Sequence, residues 1–403
     1  MLPARGVSIC LYQHKVQVLS LSASRPFWRL HHSNTHPIAL KLPSETPTLL
    51  PLIRNSSNLQ ISHGPWHTPG LQHYVATRTG ENNYTKEEEV FPFFMSPPST
   101  SQCRPIGFLK REVFKALQAD HDKHTMTSNQ LRSPWNFTRN RSVSFTSWVN
   151  EGGNYARTAL MKRLVEEWRH ANIFESVLKG WSDEAVPIYH HENTAFDTRS
   201  PGSMVAFSVE RASLPLFGFA NFGCLLIAFF RCSESGKIML WVPRRSKTKK
   251  TWPGRLDVTV GGGITLGDTA MSTVIRECAE EASLDSTFVL KHIRPVGVLP
   301  FPNRSPAGWI LPGIYYLYDL PLPSDGSVRP RTNTTDGEVE SFELMDIETV
   351  LQNLLHGMFK PSSALALVDF LIRHGHVTED SDPRFVDVCM SLKREMIWPL
   401  PQR

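Results

Sequence analysis

The sequence predicts an α+β fold, and three observations carry that reading. Residues 224–230 form an uncharged apolar run of strand length, residues 237–242 alternate with a period of two, and residues 269–282 carry a helical pattern. Strands and helices then follow one another without a βαβ rhythm, which favours an α+β sandwich over a doubly wound parallel sheet.

At 403 residues the chain has room for two or three domains. The first 44 residues carry Arg5, Lys15, Arg25, Arg29 and Lys41 with no acid before Glu45. That composition fits an organelle transit peptide, giving a cytoplasmic or mitochondrial address, and equally an N-terminus without any address. Residues 43–101 are rich in Ser, Thr, Pro and Asn and show no sustained period, so residues 1–101 read as linker, disorder or targeting segment. Order is expected from Ile106, where Phe108, Val113, Phe114 and Leu117 fall at helical spacing. A second helix is expected at 155–170, with Leu160, Leu164 and Trp168 on one face. Residues 102–213 are therefore expected to form a helix-rich N-terminal domain, and residues 214–398 a second domain. In the latter, a loop at 214–221 leads into the 224–230 strand. Short strands follow at 237–242 and 257–260, then the 269–282 helix, apolar runs at 288–300 and 309–320, and a strand at 338–344. Helices at 347–356, 362–374 and 383–398 complete it.

Several function classes fall away. The net charge of +5 is modest and the cations are interleaved with acids, so no nucleic-acid footprint is expected. Cys10, Cys103, Cys224, Cys232, Cys278 and Cys389 show neither paired spacing nor a C-x-x-C, against a disulfide framework or zinc ribbon. The uncharged stretch between Arg211 and Arg231 approaches the roughly 20 residues of a membrane span. It holds Pro215, Gly218, Asn221 and Gly223, however, and reads as loop plus buried strand.

The chemistry is concentrated at Gly262-Gly263-Ile264-Thr265-Leu266-Gly267-Asp268, seven further residues, and then Arg276-Glu277-Cys278-Ala279-Glu280-Glu281-Ala282-Ser283-Leu284. Glu277, Glu280 and Glu281 stand at i, i+3 and i+4, which brings three carboxylates together on one helix. Like charges so placed repel, and hard oxygen ligands of this kind suit Mg²⁺ or Mn²⁺. Arg276 can orient one carboxylate through its planar fork. The segment resembles the Nudix signature G-x5-E-x7-R-E-U-x-E-E-x-G-U, with Asp268 where that pattern has Glu and Ser283 where it has Gly.

Two flanking features extend the site. Before the box, Arg244-Arg245-Ser246-Lys247-Thr248-Lys249-Lys250 precedes a Trp252-Pro253-Gly254 turn, and Arg245, Lys247 and Lys249 are candidate anion contacts. After it, Asp336-Gly337-Glu338-Val339-Glu340 places acids at a strand entrance. Alternation sets Glu338 and Glu340 on the same side, with Glu340 as a catalytic candidate and Glu338 as an alternative.

The resemblance extends beyond the box. Lys179-Gly180-Trp181 through Tyr189, Pro215-Leu216-Phe217-Gly218-Phe219, the stretch from Trp241 to Lys249, residues 336–340 and Phe359-Lys360-Pro361 through Gly375 look like the thiamine pyrophosphokinase-related Nudix proteins of fungi and plants. That resemblance implies an α/β/α Nudix sandwich behind an N-terminal accessory domain, without a kinase domain. It further implies a Mg²⁺-dependent hydrolase of small-molecule diphosphates, namely damaged thiamine diphosphate analogues cut to monophosphate and phosphate. The alternatives are 8-oxo-dGDP or another nucleoside diphosphate, or a low-turnover binding protein. By the same resemblance Glu277, Glu280, Glu281 and the Gly261 carbonyl hold the metal, Arg276, Glu280 and Glu340 serve catalysis, and Gly262 and Gly263 face the substrate. Leu256-Asp257-Val258-Thr259-Val260-Gly261-Gly262-Gly263-Ile264 departs from the usual L-D-N-T-V-A-G-G-I, with Val258 replacing an amide. Isopentenyl diphosphate isomerase shares the basic stretch and W-P-G turn, but needs a cysteine and a histidine in the following loop, where this chain has Val260 and Gly261.

Overall fold

The structure is a computed structural model that describes residues 47–63, 74–79, 85–98, 103–126, 132–138, 141–191, 205–335 and 337–401. The acid-free basic N-terminus and Asp336 lie outside the described residues.

The N-terminal half contains α1 (Leu50–Ser56), β1 (Leu59–His63), β2 (Tyr74–Thr79), β3 (Thr85–Phe94), β4 (Gly107–Leu109), α2 (Arg111–Met126), β5 (Trp135–Phe137) and β6 (Val143–Phe145). It continues with α3 (Ser147–Glu151), α4 (Gly153–His170), α5 (Glu175–Leu178), and the hairpin β7 (Ala185–Tyr189) and β8 (Val205–Glu210). A 3₁₀ turn at Arg211–Ser213 and α6 (Leu214–Phe217) lead to the second half. That half contains β9 (Asn221–Arg231), β10 (Ile238–Arg245), β11 (Val260–Gly263), α7 (Ala270–Ala282), α8 (Ser286–His292), β12 (Arg294–Phe301), β13 (Gly313–Pro321), β14 (Val339–Asp346), α9 (Ile347–Leu355), α10 (Pro361–Arg373) and α11 (Phe385–Leu392).

The α+β expectation holds, and the helix at 269–282 lies at α7 with Thr269 as its cap. The Thr269 hydroxyl accepts from the Ser272 N–H at 3.0 Å, and the Ser272 hydroxyl accepts from the Thr269 N–H at 2.9 Å, so both ends of a capping box close. Two expectations are corrected. The described residues within 50–94 are not linker: β1, β2 and β3 join a six-stranded sheet ordered β1-β2-β3-β6-β5, with β4 on β3. The N-terminal part is accordingly a sheet with α2 and α4 rather than a helical domain, and Phe108 sits in β4, not in a helix.

The acidic residues Glu87–Glu89 fall within the 43–101 stretch expected to be linker or disorder, yet two of their charges are met from distant positions. Glu88 Oε2 accepts from Arg304 at 2.6 Å, and Glu89 pairs with Arg141 at 2.6 Å and with Arg111.

The second sheet is ordered β12-β13-β9-β10-β14. Its central strand β9 is buried from Phe222 to Ala228 because both sheet faces are covered. One edge of β9 pairs in parallel with β13 along nine residues. The other is shared: its first half takes β11, Gly263 opposite Gly223 through Val260 opposite Leu226, and its last residues take β10. The side chains of β9 alternate between two cores. Leu225 and Ile227 join α9, α10 and α1, while Cys224, Leu226 and Ala228 join Val274, Cys278 and Ala282 of α7. A further cluster, with Ala76, Val90, Phe108, Phe222, Ile310 and Trp398, fuses the two sheets. Among the described residues no helix is long and apolar enough to cross a membrane, and Cys224, Cys232, Cys278 and Cys389 are free thiols.

Candidate active site

The glycine strand β11 and the helix α7 face each other across a gap that only glycine permits. A Cβ on Gly262 would lie 2.4 Å from the Glu277 side chain, so that carboxylate lies directly against bare backbone. One turn on, buried Glu281 accepts the Gly261 N–H at 3.0 Å. Val274, Cys278 and Ala282 anchor the same helix to β9, so these two carboxylates have little freedom to retreat.

Burial pushes the Glu277 carboxyl up to about 7 against the pull of Arg276, and the charges of Glu280 and Glu338 add to the rise. Burial likewise pushes Glu281 up to about 8, in spite of the Gly261 hydrogen bond, with Glu277, Asp257 and Glu338 adding repulsion. Glu280 differs: it is exposed, and its Oε2 accepts from Arg276 at 2.7 Å. Arg276 also lies 3.1 Å from Glu277 and 3.8 Å from Asp268. The Asp268 carboxylate closes its own loop by accepting the Thr265 hydroxyl at 2.8 Å. Ser283, standing where the box has glycine, adopts φ +50° at the helix end.

The downstream acids do not behave as alternation predicts. Glu338, half-buried, pairs with Lys249 and acts electrostatically on both Glu277 and Glu281. Burial works to raise Glu338, but Lys249 outweighs it and holds the carboxyl below its ordinary value. Glu340 is exposed. The ladder passes from Arg244 opposite Ser341 to Arg245 opposite Val339, so Glu340 is the extra residue of a β-bulge, which breaks the two-residue repeat. Glu338, not Glu340, joins the acidic cluster.

Of the basic residues, Arg245 is directed inward. Its guanidinium bonds Asp257 at 2.8 Å and the Thr251 and Trp252 carbonyls at 3.0 and 3.2 Å, bracing the W-P-G turn rather than presenting an anion contact. Lys249 is taken by Glu338, whereas Lys247 is exposed and forms no ion pair among the described residues.

Asp257 was not singled out by sequence. It is 6% exposed and also meets Lys360 at 3.4 Å, the Ser363 hydroxyl, and the Val258 N–H at 2.9 Å. Burial works to raise it, and Lys360 and Arg245 together hold it below its ordinary value. An acid between Leu256 and Val258 in an apolar run is the signal that marks such a buried charge centre.

Around β11 the described residues bring the carboxylates of Glu277, Glu281 and Glu338 and the glycine carbonyls, while the Cys224 thiol lies against the strand with its Sγ 3.7 Å from the Gly262 carbonyl and is held protonated by burial. The carboxylate and carbonyl oxygens are the donor chemistry of a hard divalent ion, and two of those carboxyls are raised first by burial and then by their mutual repulsion, which such an ion would relieve. Among the described residues no three His, Cys, Asp or Glu side chains are drawn close enough together to hold a metal as they stand. Glu280 in particular is held aside by Arg276.

Residues 226–365 match the family model of the NUDIX domain, and they hold the glycine strand, the acidic helix and Glu338. The chain carries a Nudix domain. An uncharacterized protein of Saccharomyces cerevisiae is 32% identical over 56% of this chain and 64% of its own length. From Arabidopsis thaliana, Nudix hydrolase 24, chloroplastic, is 32% identical over 46% of this chain and 49% of its own, and Nudix hydrolase 20, chloroplastic, 33% over 47% and 48%. The chain thus spans between about half and two thirds of these relatives. The arrangement of β9, β11, β13 and α7 is the Nudix fold, with mixed α and β content.

Proposed function

We propose that this chain is a divalent-metal-dependent Nudix hydrolase that cleaves the diphosphate linkage of a small organic substrate. The observation that carries the reading is the pair of half-buried Glu277 and buried Glu281, carboxylates one helical turn apart against a glycine strand, with Glu338 beside them. Glu277, Glu281 and Glu338, with the Gly261 carbonyl, would hold Mg²⁺ or Mn²⁺, and Glu280 joins them when Arg276 releases it. When bound, the ion supplies Lewis acidity at phosphorus and lowers the pKa of a coordinated water.

The protein's own part begins with charge. Two carboxyls raised by burial bind a dication with relief of their repulsion, so the site is built to be completed. Arg276 holds Glu280 at 2.7 Å and so positions a carboxylate able to accept a proton from the attacking water. Lys249 keeps Glu338 ionised at the strand entrance. Lys247, on the exposed basic loop, offsets charge on the departing phosphate.

The substrate class is taken from the resemblance of residues 179–189, 241–249 and 359–375 to thiamine pyrophosphokinase-related proteins: thiamine diphosphate or its oxo and oxy analogues, with phosphate as product. A Mg²⁺-dependent phosphate-release panel over oxythiamine, oxothiamine and thiamine diphosphates, 8-oxo-dGDP and ADP-ribose tests it. The expected result is turnover of the thiamine group, abolished by Glu281→Gln. Preference for 8-oxo-dGDP would replace the substrate class, and no release from any would favour a binding protein.

A further inference from the structure

The N-terminal part of the chain does not stand apart from the Nudix site. Three contacts bring residues 181–185 and the 211–213 turn onto it. The Leu266 N–H of the box loop donates to the Ala185 carbonyl at 2.9 Å, Lys250 of the basic loop donates to the Trp181 carbonyl at 3.3 Å, and a Cβ on Gly263 would lie 4.0 Å from Arg211 Nη1. Gly263 and Gly261 share one face of β11 and Gly262, against Glu277, takes the other, so Arg211 stands over the face of the glycine strand opposite Glu277, two residues along from Gly261, whose N–H meets Glu281. By strand rise that separation is roughly 7 Å, within reach of one bound diphosphate.

Arg211 is held firmly at its root. The Glu210 carboxylate accepts from the Ala212 and Ser182 N–H groups at 3.1 and 3.0 Å, the Ser213 hydroxyl bonds the Glu210 carbonyl at 2.7 Å, and the Arg211 N–H donates to the Glu184 carbonyl at 2.9 Å. Its guanidinium remains 44% exposed, with Glu184 at 3.1 Å as its ion-pair partner, itself 38% exposed. A pair so open to water is cheaply exchanged for a better anion. Apart from Lys247, which is exposed on the basic loop, the other cations near the cleft are more firmly engaged: Arg245 by buried Asp257, Lys360 by the same carboxylate, Lys249 by Glu338 and Arg276 by Glu277 and Glu280.

We propose that Arg211 is a substrate-binding residue of the Nudix site, leaving Glu184 to take a phosphate oxygen of the diphosphate, so that the N-terminal part completes the cleft. The inference rests on the diphosphate-hydrolase reading above. A planar guanidinium on a braced turn suits fork-on-phosphate recognition, which a flexible lysine on the basic loop does not provide.

The test is calorimetric titration of the full chain, in Mg²⁺, with methylenediphosphonate as a diphosphate that cannot be hydrolysed. Arg211→Gln is expected to weaken binding about 10- to 100-fold, on the scale of one lost charge-assisted contact, while Mg²⁺ titrated alone stabilises it as it does the unaltered chain. Arg211→Lys should fall between the two, and Glu184→Gln, which frees the guanidinium, should bind as tightly or tighter. If Arg211→Gln binds as the unaltered chain does while Glu281→Gln does not, the inference is wrong and the reading of the acidic site stands. If the unaltered chain takes Mg²⁺ but not the diphosphonate, the diphosphate reading fails and Arg211's role with it. Should Arg211→Gln not fold, weaker binding by Glu184→Gln than by the unaltered chain would by itself overturn the proposal.

Discussion

Replacing Glu281 by glutamine should stabilise the metal-free protein at alkaline pH while removing its response to magnesium. In the folded chain the carboxyl is raised from an ordinary value of 4.5 to about 8, first by burial. The folded state therefore holds this proton more tightly than the unfolded state. Stability from this source is fully present below about 4.5, declines as pH rises, and is lost once the folded carboxyl ionises near 8. At about 1.4 kcal/mol per tenfold, the ionised group costs up to roughly 5 kcal/mol at high pH. Glutamine carries no such charge and can still accept the Gly261 N–H. Burying its amide gives back about 1–3 kcal/mol, leaving a net gain of roughly 2 kcal/mol at pH 8 and a net loss of about 1–3 kcal/mol at pH 4.5, where the protonated carboxyl costs almost nothing. Urea unfolding followed by tryptophan fluorescence, in EDTA and in Mg²⁺ at both pH values, measures this. The unaltered chain should gain more from Mg²⁺ at pH 8 than at pH 5.5, and the variant should gain little at either. A variant less stable than the parent at pH 8 in EDTA, or one that keeps the full Mg²⁺ response, would refute the argument that Glu281 is a frustrated carboxylate awaiting a cation.

Three further outcomes follow from single contacts. Gly262→Ala should cut turnover at least about 100-fold, because its methyl would lie 2.4 Å from the Glu277 carboxylate and push it off the strand; steady-state phosphate release measures the loss, and unchanged kcat would contradict it. Glu338→Gln should lower kcat by roughly 10- to 1,000-fold while Glu340→Gln changes it less than about twofold; the reverse order would mean that the bulged residue is the working one. Ser283→Gly should raise stability by about 1 kcal/mol by removing a side chain from a left-handed helix end at φ +50°, read as a shift in the urea midpoint without change in slope.

The parts of this molecule legible in sequence are those whose signal is local. The box helix announced itself through Thr269 and the periodic Val274, Cys278 and Ala282, and the strand at 224–230 through an unbroken apolar run. What escaped depends on partners far away in the chain. Glu87, Glu88 and Glu89 lie in a stretch that reads as linker or disorder because Arg111, Arg141 and Arg304, which balance the last two, are 22, 52 and 216 residues distant from them. The β11 strand was expected at 257–260 but lies at Val260–Gly263, since three glycines carry no strand propensity and only pairing with β9 extends them. Arg245 looked like an anion contact until its buried partner Asp257 was in view. The choice between Glu338 and Glu340 rested on a strict two-residue repeat, and one extra residue in the β10–β14 ladder overturned it.

The short helix α1 has a consequence for how the protein is made. Its Leu49 N–H is satisfied by Asp382 at 2.8 Å, Leu59 by the Pro302 carbonyl at 3.1 Å, Asn58 by Arg304, and the Ser57 carbonyl by Arg394 at 3.0 Å. Residues 49–58 thus leave the ribosome with an apolar face whose partners are translated more than 240 residues later. The helix waits for those partners while Leu59 can already pair with Arg78 of β2, so the first part of the described chain to leave the tunnel is among the last to be covered.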